Sequence, residues 1–213
     1  MSNKGIYVKP WSRQKFLQQI YQNEEVPDIE ELVRIVKSFT FGTSNPFFQT
    51  MRARALFIIY FLTGGRRTEI LHSKGMAGIK KEDIKFDHVD NKPIMFLRIK
   101  NHKNKERKTK RLPIPIEFEG KLVDILKEYL DNCPDNKELF NFGGQRATQI
   151  INKTTSFNIH FIRHIRATNL VVKYGFTANM LAKFMGWSDT RPAKYYIELN
   201  PRHMVREFYK EKR

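Results

Sequence analysis

The feature that most constrains this chain is the uninterrupted apolar run from Ala55 to Leu62. It sits within a helical pattern spanning roughly Gln49 to Leu62 that is apolar nearly all round. A helix with no polar face must be covered on every side, so the rest of the chain has to be built around it. It falls well short of the ~20 apolar residues that span a bilayer, so it predicts the centre of a globular core. Thr63-Gly64-Gly65 breaks the pattern and Arg66 to Leu71 resumes it. That sequence delivers Arg66 at a bend beside the core, where a buried functional charge is expected.

The surrounding elements follow from periodicity. Asp28, with Glu31 three residues on, predicts a helix start, and Ile29, Leu32, Val33, Val36 and Phe39 recur at helical spacing up to the loop Gly42-Thr43-Ser44-Asn45-Pro46. Three short β-prone runs follow, near Ile84 to Val89, Ile94 to Lys100 and Lys110 to Ile116. Asp90-Asn91-Lys92-Pro93 and a strongly basic loop separate them. The remainder is helical again: Gly120 to Asn132, a segment after Gly143-Gly144, His160 to Tyr174, Thr177 to Met185, and Pro192 to Tyr209. The fold class is therefore mostly α with a small three-stranded antiparallel β-sheet, an α+β arrangement. Residues 1–26 form an extension or linker, and 27–213 one domain.

Charge narrows the function. Lys and Arg number 39 against 22 Asp and Glu, a formal +17 on a 213-residue chain, and such a field captures polyanions. Nucleic acid leads as the partner, ahead of an anionic membrane or an acidic protein. Eight basic residues against one acidic lie between Arg98 and Arg111, suited either to a solvated hairpin face or to tracking a phosphate backbone. Arg52, Arg54, Lys80, Lys81, Arg146, Lys153 and Arg166 are further candidate backbone contacts on charge alone. Cys133 is the only cysteine, which excludes an internal disulfide and a cysteine-rich zinc site and suggests a reducing compartment. The start has no apolar signal core, so an intracellular, DNA-associated location is expected. No phosphate-binding Gly-x-x-x-x-Gly-Lys-Ser/Thr loop is present.

Three short segments carry the chemistry. Thr63-Gly64-Gly65-Arg66-Arg67-Thr68-Glu69 resembles the Thr-Gly-x-Arg-x-x-Glu signature of the tyrosine recombinase (phage integrase) family. His160-Phe161-Ile162-Arg163-His164, followed by Ala167-Thr168, resembles that family's His-x-x-Arg-His motif. Met185-Gly186-Trp187-Ser188 is similar to its Leu-Gly-His-Ser box, and Tyr196 lies nine residues past Trp187, the family's spacing to its nucleophile. The resemblance runs from about residue 28 to the end. It implies a tyrosine recombinase catalytic-domain fold and a site-specific recombinase or integrase that cuts and rejoins DNA through a covalent 3′-phosphotyrosyl link. It also implies no metal or cofactor, a double-stranded DNA partner, and self-association on DNA as a synaptic tetramer. Recombination of mobile elements or integration of viral genomes is the kind of event it suggests.

The roles implied are chemically reasonable. Guanidiniums, always charged and able to grip two oxygens, stabilise a phosphorane, which assigns Arg66 and Arg163. A phenol needs a base at neutral pH, which assigns His160 to the Tyr196 proton. Family spacing, eight residues before Pro113, selects Lys105, with Lys103 close behind, to protonate the departing 5′ oxygen. Trp187 replaces the commoner histidine and donates its indole N–H without shuttling a proton. Glu69 is placed to orient Arg66, His164 is expected to be structural, and Tyr195 to be a groove-filling neighbour. The rival functions are a type IB topoisomerase and a DNA-binding module that keeps the fold without the reaction. Family members usually carry a separate helical DNA-binding domain before the catalytic one, which the first 26 residues are too few to form. The tail from Ile197 to Arg213 is expected either to dock on a neighbouring subunit or to pack on its own core.

Overall fold

A computed structural model describes residues 27–40, 45–73, 75–100, 109–155 and 157–198. The sequence-predicted Lys103 and Lys105, and the tail beyond Glu198, lie outside them. Helix α1 (Ile29–Lys37) starts where expected, with the Glu31 N–H donating to Asp28 Oδ1 at 2.7 Å. Helix α2 (Pro46–Thr63) begins three residues earlier than its apolar pattern, because Asn45 caps it and Pro46 occupies the first turn, where the missing N–H does no harm. Every residue from Ala55 to Thr63 is buried, and α2 packs against α1 and against the helices over Ile116–Asp131, Gly144–Thr154 and Ile159–Val172. The all-apolar run is the axis of the molecule.

A short helix α3 (Arg67–Ile70) follows the turn, and then come three strands, β1 (Ile84–Val89), β2 (Lys92–Lys100) and β3 (Thr109–Pro115). They form one antiparallel sheet in the order β1-β2-β3, with Ile84 opposite Leu97 and Leu97 opposite Leu112. The β1–β2 connection is tighter than the sequence predicts. Asp90 and Asn91 alone make the turn, both at positive φ, the two-residue geometry that matches strand twist. Pro93 therefore lies inside β2, opposite His88, just beyond the last pairing of β2 with β3 at Ile94 and Pro115. Met95, Leu97 and Ile99 on β2 and Leu112 and Ile114 on β3 bury alternate positions against the helices.

Helices α4 (Ile116–Asp131), α5 (Gly144–Thr154), α6 (Ile159–Val172), α7 (Ala178–Met185) and α8 (Arg191–Glu198) complete the described chain. One charge assignment is corrected. Arg166 is not a surface contact for a phosphate backbone: it is 1 % exposed and its two Nη atoms hold both oxygens of the buried Glu119 across α4 and α6. Tyr174 donates to the same carboxylate at 2.7 Å, so this ion pair is a structural tie through the core.

Candidate active site

The Thr-Gly-Gly-Arg turn is built by its own side chains. The Thr63 hydroxyl donates to the Ile59 carbonyl at 2.6 Å and accepts from the Gly65 N–H at 2.9 Å. Gly64 caps α2 in the left-handed conformation, φ +54, and a side chain there would meet Met185 Sδ at 2.8 Å. The chain can thus leave α2 sharply and pass close beneath the end of α7. Arg66 sits at the cap position of α3 in extended backbone, not within the helix as the sequence pattern suggests. Glu69 holds it twice, accepting from the Arg66 N–H at 2.8 Å and from Nη1 at 3.0 Å.

Arg163 is a buried charge of the site, 6 % exposed. Its Nη1 donates to the Gly64 carbonyl and its Nη2 to the Met185 carbonyl at 2.8 Å. Both acceptors are at the C-terminal ends of helices, α2 and α7, where carbonyls lack intrahelical donors and carry the negative end of the dipole. A guanidinium can therefore be buried here while it fixes the Gly64 turn relative to the Met185-Gly186-Trp187 segment. Burial first, and then the charge of Arg66, lower its pKa to about 10, still leaving it protonated at neutral pH.

Arg66, Arg163 and the exposed His160 line one open pocket of about 520 Å³, together with Arg67, Thr148 and Asn158. Trp187 packs against Arg163, its ring centroid 5.7 Å from the guanidinium carbon. It stacks on Tyr196, with centroids 5.8 Å apart and planes within 14°. Tyr196 is 6 % exposed; Tyr195, on the same helix, is 39 % exposed. Five of the six sequence-predicted residues thus gather here, and Lys105 lies outside the described residues.

Two residues enter that sequence reasoning placed elsewhere or passed over. The Tyr196 hydroxyl shares a hydrogen bond with His164 Nδ1, a partner that the helix pattern alone did not reveal. His160 stands edge-on to His164, with centroids 4.6 Å apart. The other is Lys110 on β3, whose Nζ donates to the Phe184 carbonyl at 3.2 Å and lies 3.9 Å from Glu69 Oε2. Its side chain is 13 % exposed. Burial, with Arg163 and Arg66 adding to it and Glu69 opposing it, lowers its pKa to about 8. Strand alternation held the signal, since Lys110 is in phase with the inward Leu112 and Ile114. Three cations, Arg66, Arg163 and Lys110, thus surround one carboxylate, an arrangement suited to an anion.

Solved structures share this architecture. XerH, a site-specific recombinase bound to a palindromic difH substrate in a post-cleavage complex, matches with a TM-score of 0.56 and 17 % identity over 87 % of this chain. XerH in a pre-cleavage complex with difH gives the same three values. XerA recombinase gives a TM-score of 0.57, with 17 % identity over 87 %. The fold is that of a tyrosine recombinase catalytic domain. This chain spans 54 % and 52 % of the two XerH chains and 63 % of XerA, so the likeness concerns a little over half of each recombinase. No protein-family model and no curated protein matched the chain. Within this recombinase fold, the pocket is bounded by Gly65, Arg66 and the start of α6, with Trp187 packed on Arg163 and Tyr196 stacked on Trp187.

Proposed function

We propose that this protein binds double-stranded DNA and cleaves and rejoins its strands at specific sites, with Tyr196 as the nucleophile. The observation that carries the reading is that residues as distant as Arg66, His160, Arg163, Trp187 and Tyr196 meet around Arg163 and its pocket. The recombinase fold supports it. In the reaction, the oxygen of Tyr196 displaces the 5′ oxygen of the scissile phosphodiester, leaving a 3′-phosphotyrosyl link and a free 5′ hydroxyl. Rejoining reverses the step, with the bond energy conserved in the phosphotyrosine.

Arg66 and Arg163 hold the nonbridging oxygens as negative charge builds on them. Two backbone carbonyls preset Arg163, and Glu69 presets Arg66, so little reorganisation is needed when phosphate arrives. His160, which the resemblance assigns to the Tyr196 proton, lines the same pocket at the first turn of α6 and is suited by that place to hold the phosphate instead, and the Trp187 indole N–H donates to it. Lys105 supplies the proton for the leaving 5′ oxygen. Assembly of copies on DNA as a synaptic tetramer would bring two duplexes together for exchange.

The test is covalent capture. A pool of nicked duplexes of randomised sequence loses the short strand downstream of the cut, so rejoining is blocked and protein–DNA adducts survive detergent. Adducts are expected from the wild type and from Tyr195→Phe, and none from Tyr196→Phe. An adduct that persists in Tyr196→Phe but is lost in Tyr195→Phe would overturn the assignment. Relaxation of supercoiled plasmid without a sequence-specific product would favour topoisomerase chemistry instead.

A further inference from the structure

We propose that His164 takes the proton of Tyr196 as the phenolic oxygen attacks phosphorus, an inference that rests on the reaction proposed above. The geometry divides the two histidines of α6 between two tasks. His160 is exposed at the start of the helix and lines the pocket that would hold phosphate. His164, one turn deeper, shares the hydrogen bond with the Tyr196 hydroxyl. With the imidazole neutral and its proton on Nε2, Nδ1 accepts from the phenol O–H through a lone pair in the ring plane.

The rings are disposed for that contact and held there. The imidazole and phenol centroids are 5.8 Å apart at 35°, so the hydroxyl meets the imidazole edge and not its face. Trp187 stacks on the phenol, and Tyr195 meets it edge-on at 5.5 Å and 89°. His160 in turn stands perpendicular to His164. The phenol is therefore confined on two sides, and its hydroxyl is directed at a nitrogen able to accept a proton. Nucleophile, base and a third group bracing the base form the arrangement by which a weak nucleophile is activated.

The step balances as follows. As Tyr196 Oη bonds to phosphorus, its proton passes to His164 Nδ1 and the imidazole becomes imidazolium. The bond between phosphorus and the 5′ oxygen breaks, its electron pair leaves with that oxygen, and the oxygen takes a proton from the Lys105 ammonium. On rejoining, the 5′ hydroxyl returns its proton to the lysine as it attacks phosphorus, and the imidazolium returns its proton to the departing phenolate.

The experiment compares the full-length wild type with His164→Ala and His164→Asn in single turnover, at saturating concentrations of a nicked duplex recovered from the capture above. An asparagine can accept the phenol's hydrogen bond but cannot take its proton. Both variants are expected to bind the duplex as the wild type does and to form adduct about 10²–10⁴-fold more slowly. The deficit should persist when sulfur replaces the scissile 5′ oxygen, since a thiolate departs without an acid and the missing step is at the other end. Added imidazole should speed His164→Ala, which has room for it, and not His164→Asn. Wild-type rates in either variant, or full recovery on the sulfur substrate, would overturn the proposal. A wild type that forms no adduct with any duplex would instead sink the reaction on which it rests.

Discussion

Lys110 is the residue whose placement most needs a reason. A lysine in phase with Leu112 and Ile114 points into the protein, and here its ammonium ends between the Phe184 carbonyl and Glu69, with Arg66 and Arg163 nearby. Its pKa is about 8 in the folded chain against an ordinary 10.5. Between those values the unfolded chain holds a proton that the native one lacks, so this group makes stability rise with pH across that window. Below about 8 both states are protonated, and the native state bears the full burial penalty, on the order of 3 kcal/mol at 1.36 kcal/mol per unit. Lys110→Met should therefore unfold at higher urea than the wild type at pH 7, with the gap narrowing as pH rises from 8 to 10.5. A gap independent of pH would show that Lys110 is not the source. An incoming phosphate reverses the sign, because its negative charge favours the ammonium. The same variant should bind DNA more weakly at pH 7, as a gel-shift titration would register. Both outcomes together would show stability given up in the free protein for attraction to an anion, as expected of a binding site rather than of a core.

At the scale of elements, what was legible in the sequence was whatever depends on neighbours along the chain. The apolar run marked α2 as the axis, the Asp28 cap marked α1, and β-prone runs set between turn residues marked the three strands, because each signal lies within a few residues. Spacing also drew Tyr196 apart from Tyr195. What local pattern could not supply was which distant group each polar side chain meets. Arg166 looked like surface charge because its partner, Glu119, is 47 residues away, and nothing near His164 in the sequence pointed to its hydrogen bond with Tyr196, 32 residues away. The Gly64 turn joins both kinds of information. Its glycine is local, as the left-handed cap of α2, and also long-range, since a methyl group there would press on Met185 Sδ and Cε at 2.8 and 2.9 Å. Gly64→Ala should cost about 1–2 kcal/mol from the left-handed backbone, read as a lower urea midpoint. The flexible end of Met185 can yield to relieve the clash. That movement would reach Trp187 two residues on, so covalent adduct formation should fall further than stability alone accounts for. Equal losses would mean that α7 and the Gly64 turn are not mechanically joined through Arg163.

For the whole molecule, the question is how much of the formal +17 is available to DNA. Part of the basic complement is already engaged: Arg98 with Asp83, Arg111 with Asp87, Lys81 with Asp135, Lys121 with Glu30, Arg191 with Asp189, and Arg166 with Glu119. The Arg111 guanidinium carbon also lies over the Phe96 ring, 3.7 Å from its centroid, so the outer face of the hairpin is in part a structural surface. Among the described residues, Arg66, Arg67 and Arg163 line one pocket, and there three cations stand close enough together to meet a single stretch of phosphate backbone. Arg67 is the exposed member of that group, and it runs alongside Gly144 where a side chain would collide with it. This close approach holds it at the pocket's rim, where under the proposed function the strand flanking the scissile phosphate would pass. If about five phosphates are neutralised, log K should fall with log salt at a slope of about −4.5, and Arg67→Ala should make the slope shallower by about 0.9. Fluorescence anisotropy on one duplex across a salt series measures both quantities. An unchanged slope in Arg67→Ala would mean that the strand leaves the pocket by another edge. A slope several times steeper in the wild type would mean that the diffuse field of the whole surface, rather than this pocket, governs binding.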